Sequence, residues 1–344
     1  MKSYRSILMS ALMCLASTFA FAQAQAPAAQ KVKTLNACAA DKLAFGSGTP
    51  RGTYGQMSSS LAAMCPMICE VQETQGGYDN ITQMVNEKFD SGIVQADLIE
   101  FLNRTEPDIK KKLRSLFALH GSSMHMFVSL KGVPVAGVKK EPVPIWKGGG
   151  TRDVPTMTMV VVEKLSDLKG KRIAAWSSAF VTANIVSERL KLDWDVVEVK
   201  TRGDGLKMVQ DGQAWMFMAA GGKPVEWIDE VKADQLTMLN LDPGDIAKIG
   251  APYYPVKVTY RNLKVNGWNT ITVRNEVLVR NITTGPLAAL IPAFKKCMVD
   301  NLDAIKSQRD KHASWSDVED LGATTWLPYT GGVSAASTTR ARKK

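Results

Sequence analysis

The feature that most constrains the fold is an alternation of short apolar segments with helical segments, separated by glycine-containing turns. Residues 42–45 predict a short strand, the glycine-rich segment 46–52 predicts a turn, and residues 53–64 predict a helix with a small apolar face. Strand patterns follow at 68–74 and 91–95, with a helix pattern between them. Strands that alternate with helices in this way are typical of an α/β protein with a largely parallel sheet.

The alternation resumes in a second unit that begins near residue 126. Strands are predicted there at 157–162 and 173–176, with further helices and strands after them. From about Tyr253 the pattern changes to strand-like segments, and a long amphipathic helix follows at 286–306. The chain of 344 residues is therefore long enough for two domains of ordinary size.

The N-terminus predicts export. Lys2 and Arg5 precede an apolar stretch at 7–19, and small residues stand at Ala20 and Ala22, where a signal peptidase requires them. We expect a signal peptide at 1–22, cleaved after Ala22, and a periplasmic location. The residues at 23–35 are rich in Ala, Gln and Pro and predict a flexible lead.

The basic charge is concentrated at the two ends of the chain. The formal net charge is +10, of which the signal peptide carries +2 and the last five residues carry +4, leaving +4 between them. We expect the segment 331–344 to be a disordered basic tail. Nucleic-acid binding needs a concentrated basic face, which is not evident here, whereas a small anionic ligand is compatible with a mild excess of positive charge.

Four cysteines remain after processing, and an oxidising compartment favours disulfides. Cys65 and Cys69 close a very short loop, so a local pairing is geometrically easy, and Cys38 would then pair with Cys297. Three pairings are open in principle. A zinc site is not expected, because the Cys-x3-Cys segment lacks a second ligand pair.

The first glycine-rich turn is the leading candidate for an anion-binding loop. Its glycines let the backbone approach a ligand, and the helix that follows presents free N–H groups and the positive end of its dipole. Arg51 would add a bidentate donor for a carboxylate. The alternative is a tight turn with a surface arginine. The candidate residues of this loop are Gly48, Thr49, Arg51, Gly52, Thr53 and Tyr54.

Further candidates follow other predicted strands, where an open sheet presents side chains to a crevice. The alternative for each is a turn, a helix cap or a solvated lysine. They are Gly77, Gln95, Ser177, Ser178, Thr182, Gly221, Gly222 and Lys223. No nucleophile elbow, His-Glu-x-x-His motif or P-loop is present in the sequence. We therefore expect a protein that is not an enzyme and uses no cofactor or metal.

Five segments, in order, resemble the TAXI family of TRAP-transporter solute-binding proteins. Residues 44–54 resemble the first strand and Gly-Thr-Gly-Gly-Thr-Tyr loop of that family, and residues 74–81 resemble its Thr-Gly-Gly turn. Residues 89–97, 168–173 and 211–224 are similar to its Leu-x-Val-Gln-Ser-Asp, Asp-Leu-Lys-Gly-Lys-Arg-Val and Gly-Gly-x-Pro segments. The match spans roughly residues 40–300.

The resemblance implies a two-lobed periplasmic binding protein whose lobes are joined by crossing hinge strands and close on a ligand. Lobe 1 would comprise 36–125 and 253–330, and lobe 2 would comprise 126–252, with an insertion at 131–156. It also implies a carboxylate ligand, glutamate-like or a dicarboxylate, and delivery to a TRAP-type membrane permease. The alternative is a ligand-sensing receptor that presents its closed form to a signalling partner. The segment 176–182 is bulkier than its family counterpart, so the ligand itself does not carry over.

Overall fold

A computed structural model describes residues 42–331 of the chain. The predicted signal peptide, the flexible lead, Cys38 and residues 332–344 of the predicted tail lie outside the described residues. Within the described part, no helix is both long enough and apolar enough to span a bilayer.

The structure contains twelve labelled strands and eight labelled α-helices in the described residues. The strands are β1 (Leu43–Gly46), β2 (Ile68–Gln72), β3 (Ser91–Gln95), β4 (Leu113–Ser129), β5 (Val133–Pro142), β6 (Thr151–Val160), β7 (Arg172–Trp176), β8 (Asp195–Val199), β9 (Met216–Gly221), β10 (Leu236–Met238), β11 (Tyr253–Tyr260) and β12 (Val265–Arg280). The helices are α1 (Thr53–Met64), α2 (Gly77–Val85), α3 (Ala96–Thr105), α4 (Ile109–Lys112), α5 (Ala179–Leu190), α6 (Arg202–Gln210), α7 (Pro243–Ile249) and α8 (Pro286–Ser307).

Ten strands form one continuous mixed sheet with the order β2-β1-β3-β12-β4-β9-β7-β8, in which β10 pairs with β4 and β11 pairs with β12. Parallel strand pairs occur in two sets of three strands, β1 with β2 and β3, and β7 with β8 and β9. We call the half built on β1–β3 lobe 1 and the half built on β7–β9 lobe 2. Helices pack against both, so the predicted α/β class is confirmed.

Two long antiparallel strands join the lobes. β4 has 17 residues and β12 has 16. The first part of β4 pairs with β12 beside β3, and its last part, Ser123–Val128, pairs with β9 of lobe 2. These two strands are the crossing connections that a hinged clamp requires.

The predicted chain boundaries of the lobes stay predictions. Val258 and Tyr260 of β11 pack in one cluster with Phe127 and Phe217, on the lobe 2 side of the sheet. In lobe 1, Phe294 of α8 makes an edge-to-face contact with Phe117, with ring centroids 5.3 Å apart. Each lobe thus has one core cluster of its own, and a third cluster, which includes Val94 of β3 and Met218 of β9, extends across both lobes.

One disulfide corrects the pairing that the short loop favoured. Cys65 is bonded to Cys297, which lies 232 residues later in the chain, and Cys69 is itself disulfide-bonded. The reason is packing: Cys65 caps the C-terminus of α1 and lies fully buried beside Met298 of α8. Cys69 instead lies on β2. Proximity in sequence was therefore the wrong criterion.

The segment 157–162, predicted as a strand of the second unit, belongs instead to a separate hairpin. Within residues 42–331, β6 pairs only with β5, in a two-stranded sheet apart from the main one. Its alternating Met and Thr residues resemble a half-buried strand, but Met157 and Met159 are exposed. The predicted insertion at 131–156 covers β5, the turn and the first part of β6.

Candidate functional site

A cleft of about 620 Å³, including its open mouth, lies at the junction of the two lobes. Lobe 1 contributes the β1–α1 loop and the turn before α2, and lobe 2 contributes the β7–α5 turn and the end of β9. Ser122 of β4 also lines the cleft. The lining residues are Gly48, Thr49, Gly52, Thr53, Tyr54, Gln75, Gly76, Gly77, Ser122, Trp176, Ser177, Ser178, Ala220 and Gly221.

The structure brings nine of the fourteen predicted site residues together around this cleft. They are Gly48, Thr49, Gly52, Thr53, Tyr54, Gly77, Ser177, Ser178 and Gly221. They come from both lobes, as a clamp requires. That they bind a ligand stays a prediction.

Three helices begin at the wall of the cleft. The residues that precede α1, α2 and α5 are Gly52, Gly76 and Ser178. The two glycines have no side chain with which to cap, and the Ser178 side chain forms no capping hydrogen bond. The first N–H groups of a helix have no partner within the helix, and the dipole gives this end a partial positive charge. Of the three helices only α2 has an acid in its first turn, Asp79, whose carboxylate accepts a hydrogen bond from the Gln75 N–H at 3.1 Å.

None of the described residues that line the cleft is charged. The polar groups available to a ligand are backbone N–H groups, hydroxyls and the Gln75 side chain, while Trp176 and Tyr54 supply aromatic surface. An anion would therefore be held by neutral dipoles, as phosphates are held at helix N-termini.

The two lobes touch directly across the cleft at Ser177. Its hydroxyl donates a hydrogen bond of 3.1 Å to the Gln75 carbonyl oxygen. Ser177 has φ of 55°, in the left-handed region that costs a residue with a side chain about 1–2 kcal/mol. Strained residues held by their surroundings are common at binding sites.

A buried network behind the cleft fixes Tyr54. The Tyr54 hydroxyl donates a hydrogen bond of 2.5 Å to the Oδ1 atom of Asn275, whose Nδ2 atom lies 3.0 Å from the His120 ring and from the Ser122 hydroxyl. Burial raises the pKa of Tyr54 well above its usual range, with a smaller contribution from Asp97. Burial also lowers the pKa of His120 to about 3, with His312 adding to the shift. The network is therefore neutral at ordinary pH.

Thr182, predicted to contact the ligand, donates its hydroxyl to the buried carboxylate of Asp97 instead, at 2.6 Å. Tyr253 donates to the same carboxylate oxygen at 2.8 Å. Burial raises the pKa of Asp97, and this effect is larger than the lowering by the two hydrogen bonds. Thr182 thus joins the two lobes beside the cleft rather than lining it.

The other predicted residues lie outside the lining. Arg51 is exposed, and Gly222 is buried against Thr53. Gln95 is fully buried, and neither polar atom of its amide has a hydrogen-bond partner in the described structure. Lys223 lines a different cavity of about 490 Å³, together with Arg274 and others.

Five lining residues are not among the fourteen predicted site residues. Gln75 and Gly76 precede the predicted Gly77, and Trp176 precedes Ser177, so neighbouring positions were the available indication. Ser122 was missed because β4 was not predicted as one long strand, and Ala220 because a small residue at a strand end carries no chemical signature.

No protein-family model matches the chain, and no curated protein matches it. Solved structures do resemble it in fold. A substrate-binding protein of an amino acid ABC transporter is 12% identical, with 76% of this chain and 93% of that chain covered at a TM-score of 0.43. A histidine kinase sensor domain is 12% identical (77% and 92% covered, TM-score 0.45), and the GluR0 ligand-binding core with L-glutamate is 11% identical (77% and 94% covered, TM-score 0.45).

Proposed function

We propose that this protein is an extracytoplasmic solute-binding receptor that captures a small organic anion between its lobes and delivers it to a TRAP-type membrane transporter. The lobes sample closure, and a ligand that contacts both shifts the population toward the closed form. The partner transporter and the periplasmic location come from the sequence resemblance and from the predicted signal peptide. No chemical step on the ligand is needed for this role.

The observation that carries the proposal is the convergence of three helix N-termini without side-chain caps on one cleft. Gly52, Gly76 and Ser178 stand at these ends and line the same space. The N–H groups and dipoles of α1 and α2 come from lobe 1. In α5 the N–H groups of Phe180 and Val181 already donate to the carbonyl oxygens of Ser177 and Ser178, so lobe 2 contributes the dipole of α5 and the Ser178 hydroxyl. An anion between the three helix ends would satisfy donors from both lobes at once. Its binding would therefore favour the closed form.

The lining favours a carboxylate with one charged group and an uncharged remainder. A second carboxylate would face hydroxyls and aromatic rings, since the described lining residues include no lysine or arginine. Trp176 and Tyr54 offer flat apolar surface to the rest of the ligand. We therefore rank monocarboxylates with an apolar or aromatic body above glutamate and dicarboxylates.

The test is a thermal-unfolding screen of the exported protein against monocarboxylates, dicarboxylates, amino acids and sugars. A ligand at a hundredfold excess over its Kd stabilises the folded state by about 2.7 kcal/mol. Trp176→Ala and Thr53→Val, which alter the lining, should each weaken binding of the best ligand about tenfold. Arg51→Ala is the matched control and should leave the affinity within about threefold, since Arg51 is exposed outside the lining.

Two results would contradict the proposal. If no anion stabilises the protein, the cleft is not an anion site. If a stabilising ligand binds with an affinity that depends on Arg51 but not on Trp176, the ligand binds outside this cleft. If a sugar stabilises the protein and carboxylates do not, the protein is still a receptor, but its ligand is a sugar and not an anion.

A further inference from the structure

The hairpin of β5 and β6 stands apart from the main sheet. Its ten pairs run from Val133 opposite Val160 to Pro142 opposite Thr151. Among the described residues, neither strand pairs with any other, so both edges of the hairpin are open. Two-stranded hairpins on their own are marginally stable in water, and exposed edges are normally covered or protected. A hairpin with two open edges is therefore expected to contact a binding partner.

One face of the hairpin is apolar and exposed. The register places Pro134, Ala136 and Val138 of β5 directly opposite Met159, Met157 and Pro155 of β6, and successive residues of a strand alternate between faces. All six are exposed. Contiguous exposed apolar surface of this kind marks interaction sites.

The tip of the hairpin is also apolar. A single 3-10 turn at Ile145–Lys147 presents Ile145 and Trp146, whose side chains are 90% and 85% exposed. The three glycines that follow all have positive φ and let the chain turn back into β6. A large aromatic side chain at such an exposed position is costly in water and is enriched at the interface between membrane and water.

Positive charge flanks the apolar tip. The hairpin carries four basic and two acidic side chains, a net charge of +2. Arg152 forms an ion pair with Glu141 at 3.2 Å. Among the described residues, Lys139, Lys140 and Lys147 have no carboxylate within salt-bridge distance. Lys147 ends the turn itself, and Lys139 and Lys140 lie before it on β5, so all three would face anionic groups around an inserted tip.

We propose that the β5–β6 hairpin docks this protein on an anionic lipid surface, with Ile145 and Trp146 inserted among the headgroups and the three lysines against lipid phosphates. Each lysine near such a surface adds attraction that salt screens. A second copy of the hairpin would bring like charges together. The proposal goes beyond solute capture, because it places the receptor on a membrane.

The experiment is vesicle sedimentation with the protein purified from the periplasm of an expression host. Vesicles of phosphatidylcholine alone are compared with vesicles that contain 30% phosphatidylglycerol, at low salt and at high salt. We expect partitioning to rise at least about tenfold with phosphatidylglycerol and to fall in high salt. The double variant Ile145→Ser/Trp146→Ala and the triple variant K139Q/K140Q/K147Q should each lower it at least about fivefold.

Matched controls separate the hairpin from the rest of the chain. Val299→Ser removes an exposed apolar side chain from α8, and K88Q/K110Q/K295Q removes three exposed positive charges from lobe 1. Both should bind vesicles within about twofold of the unchanged protein. Equal partitioning to both vesicle types, binding that the hairpin variants leave intact, or a dimer that Trp146→Ala dissociates would each overturn the proposal. None of these variants alters the cleft, so the proposed anion binding is tested independently.

Discussion

The hydroxyl of Thr182 on α5 donates a 2.6 Å hydrogen bond to the carboxylate of Asp97 on α3, and this contact joins lobe 2 to lobe 1. Tyr253 of β11 donates to the same oxygen at 2.8 Å. Three elements therefore meet at one buried acid, which holds the lobes together beside the cleft.

The first prediction concerns the charge of Asp97. Burial raises its pKa above the unfolded value near 3.8, so the folded state favours the protonated acid and loses stability as pH rises through the folded pKa. Asp97→Asn keeps an acceptor for Thr182 and Tyr253 without a charge. We expect this variant to be at least as stable as the unchanged protein at pH 7, with the difference shrinking as the solution is acidified.

Asp97→Ala is the comparison that makes this test decisive. It leaves two buried hydroxyls without an acceptor, which costs about 1–3 kcal/mol. Denaturant unfolding at pH 7 and near pH 5 measures both variants. If Asp97→Asn loses as much stability as Asp97→Ala, the ionised carboxylate is stabilising and the assigned direction of the pKa shift is wrong.

The local elements of lobe 1 were predictable because their patterns are short and strong. The helix at 53–64 and the strand at 91–95 have the predicted bounds. A glycine-rich turn precedes the helix, and the strand is buried throughout. The long strand β4 was not predictable in the same way. It is buried on both faces for most of its length and carries Gly121, Ser122 and Ser123 at its centre, so no alternation reveals it.

Lining residues that contribute through their backbone could be predicted from the sequence. Residues whose contribution depends on the direction of the side chain could not. Glycines and hydroxyls at strand-to-helix turns fall on the cleft because the turns themselves converge there. Arg51 and Lys223 follow similar turns, but the direction of a side chain depends on the exact path of the backbone. The hydrogen bond of Thr182 to Asp97 was not predictable, because nothing in the sequence shows that Asp97 lies beside it.

A second prediction uses the left-handed conformation of Ser177. Ser177→Ala removes the hydrogen bond to the Gln75 carbonyl and keeps a side chain at φ of 55°, whereas Ser177→Gly removes the same hydrogen bond and relieves the strain. We expect the glycine variant to be more stable than the alanine variant by about 1 kcal/mol in denaturant unfolding. Equal stabilities would show that this turn relaxes when the hydroxyl is lost.

A third prediction follows from the bond between Cys65 and Cys297. It ties α1 to α8 over 232 residues of chain and therefore restricts the unfolded state strongly. The double variant C65S/C297S should lose about 2–5 kcal/mol of unfolding free energy. Peptide mapping without reductant should recover the two cysteines in one linked fragment, and recovery of Cys65 linked to Cys69 would refute the pairing.

The last prediction concerns acid stability and the buried ring of His120. Burial lowers its pKa to about 3, and His125 is lowered to about 4 for the same reason, while an unfolded histidine titrates near 6.5. The unfolded state therefore binds protons first, so this contribution is complete above pH 6.5 and is lost as pH falls below it, by up to about 1.4 kcal/mol per pH unit for each ring. NMR titration of the imidazole signals, read beside unfolding curves at each pH, checks it. The chain has three histidines, and the rings of His120 and His125 should stay neutral at pH 5.5. A His120 signal that titrates near pH 6.5 would mean that water reaches the network behind Tyr54, and that the cleft is open at its base.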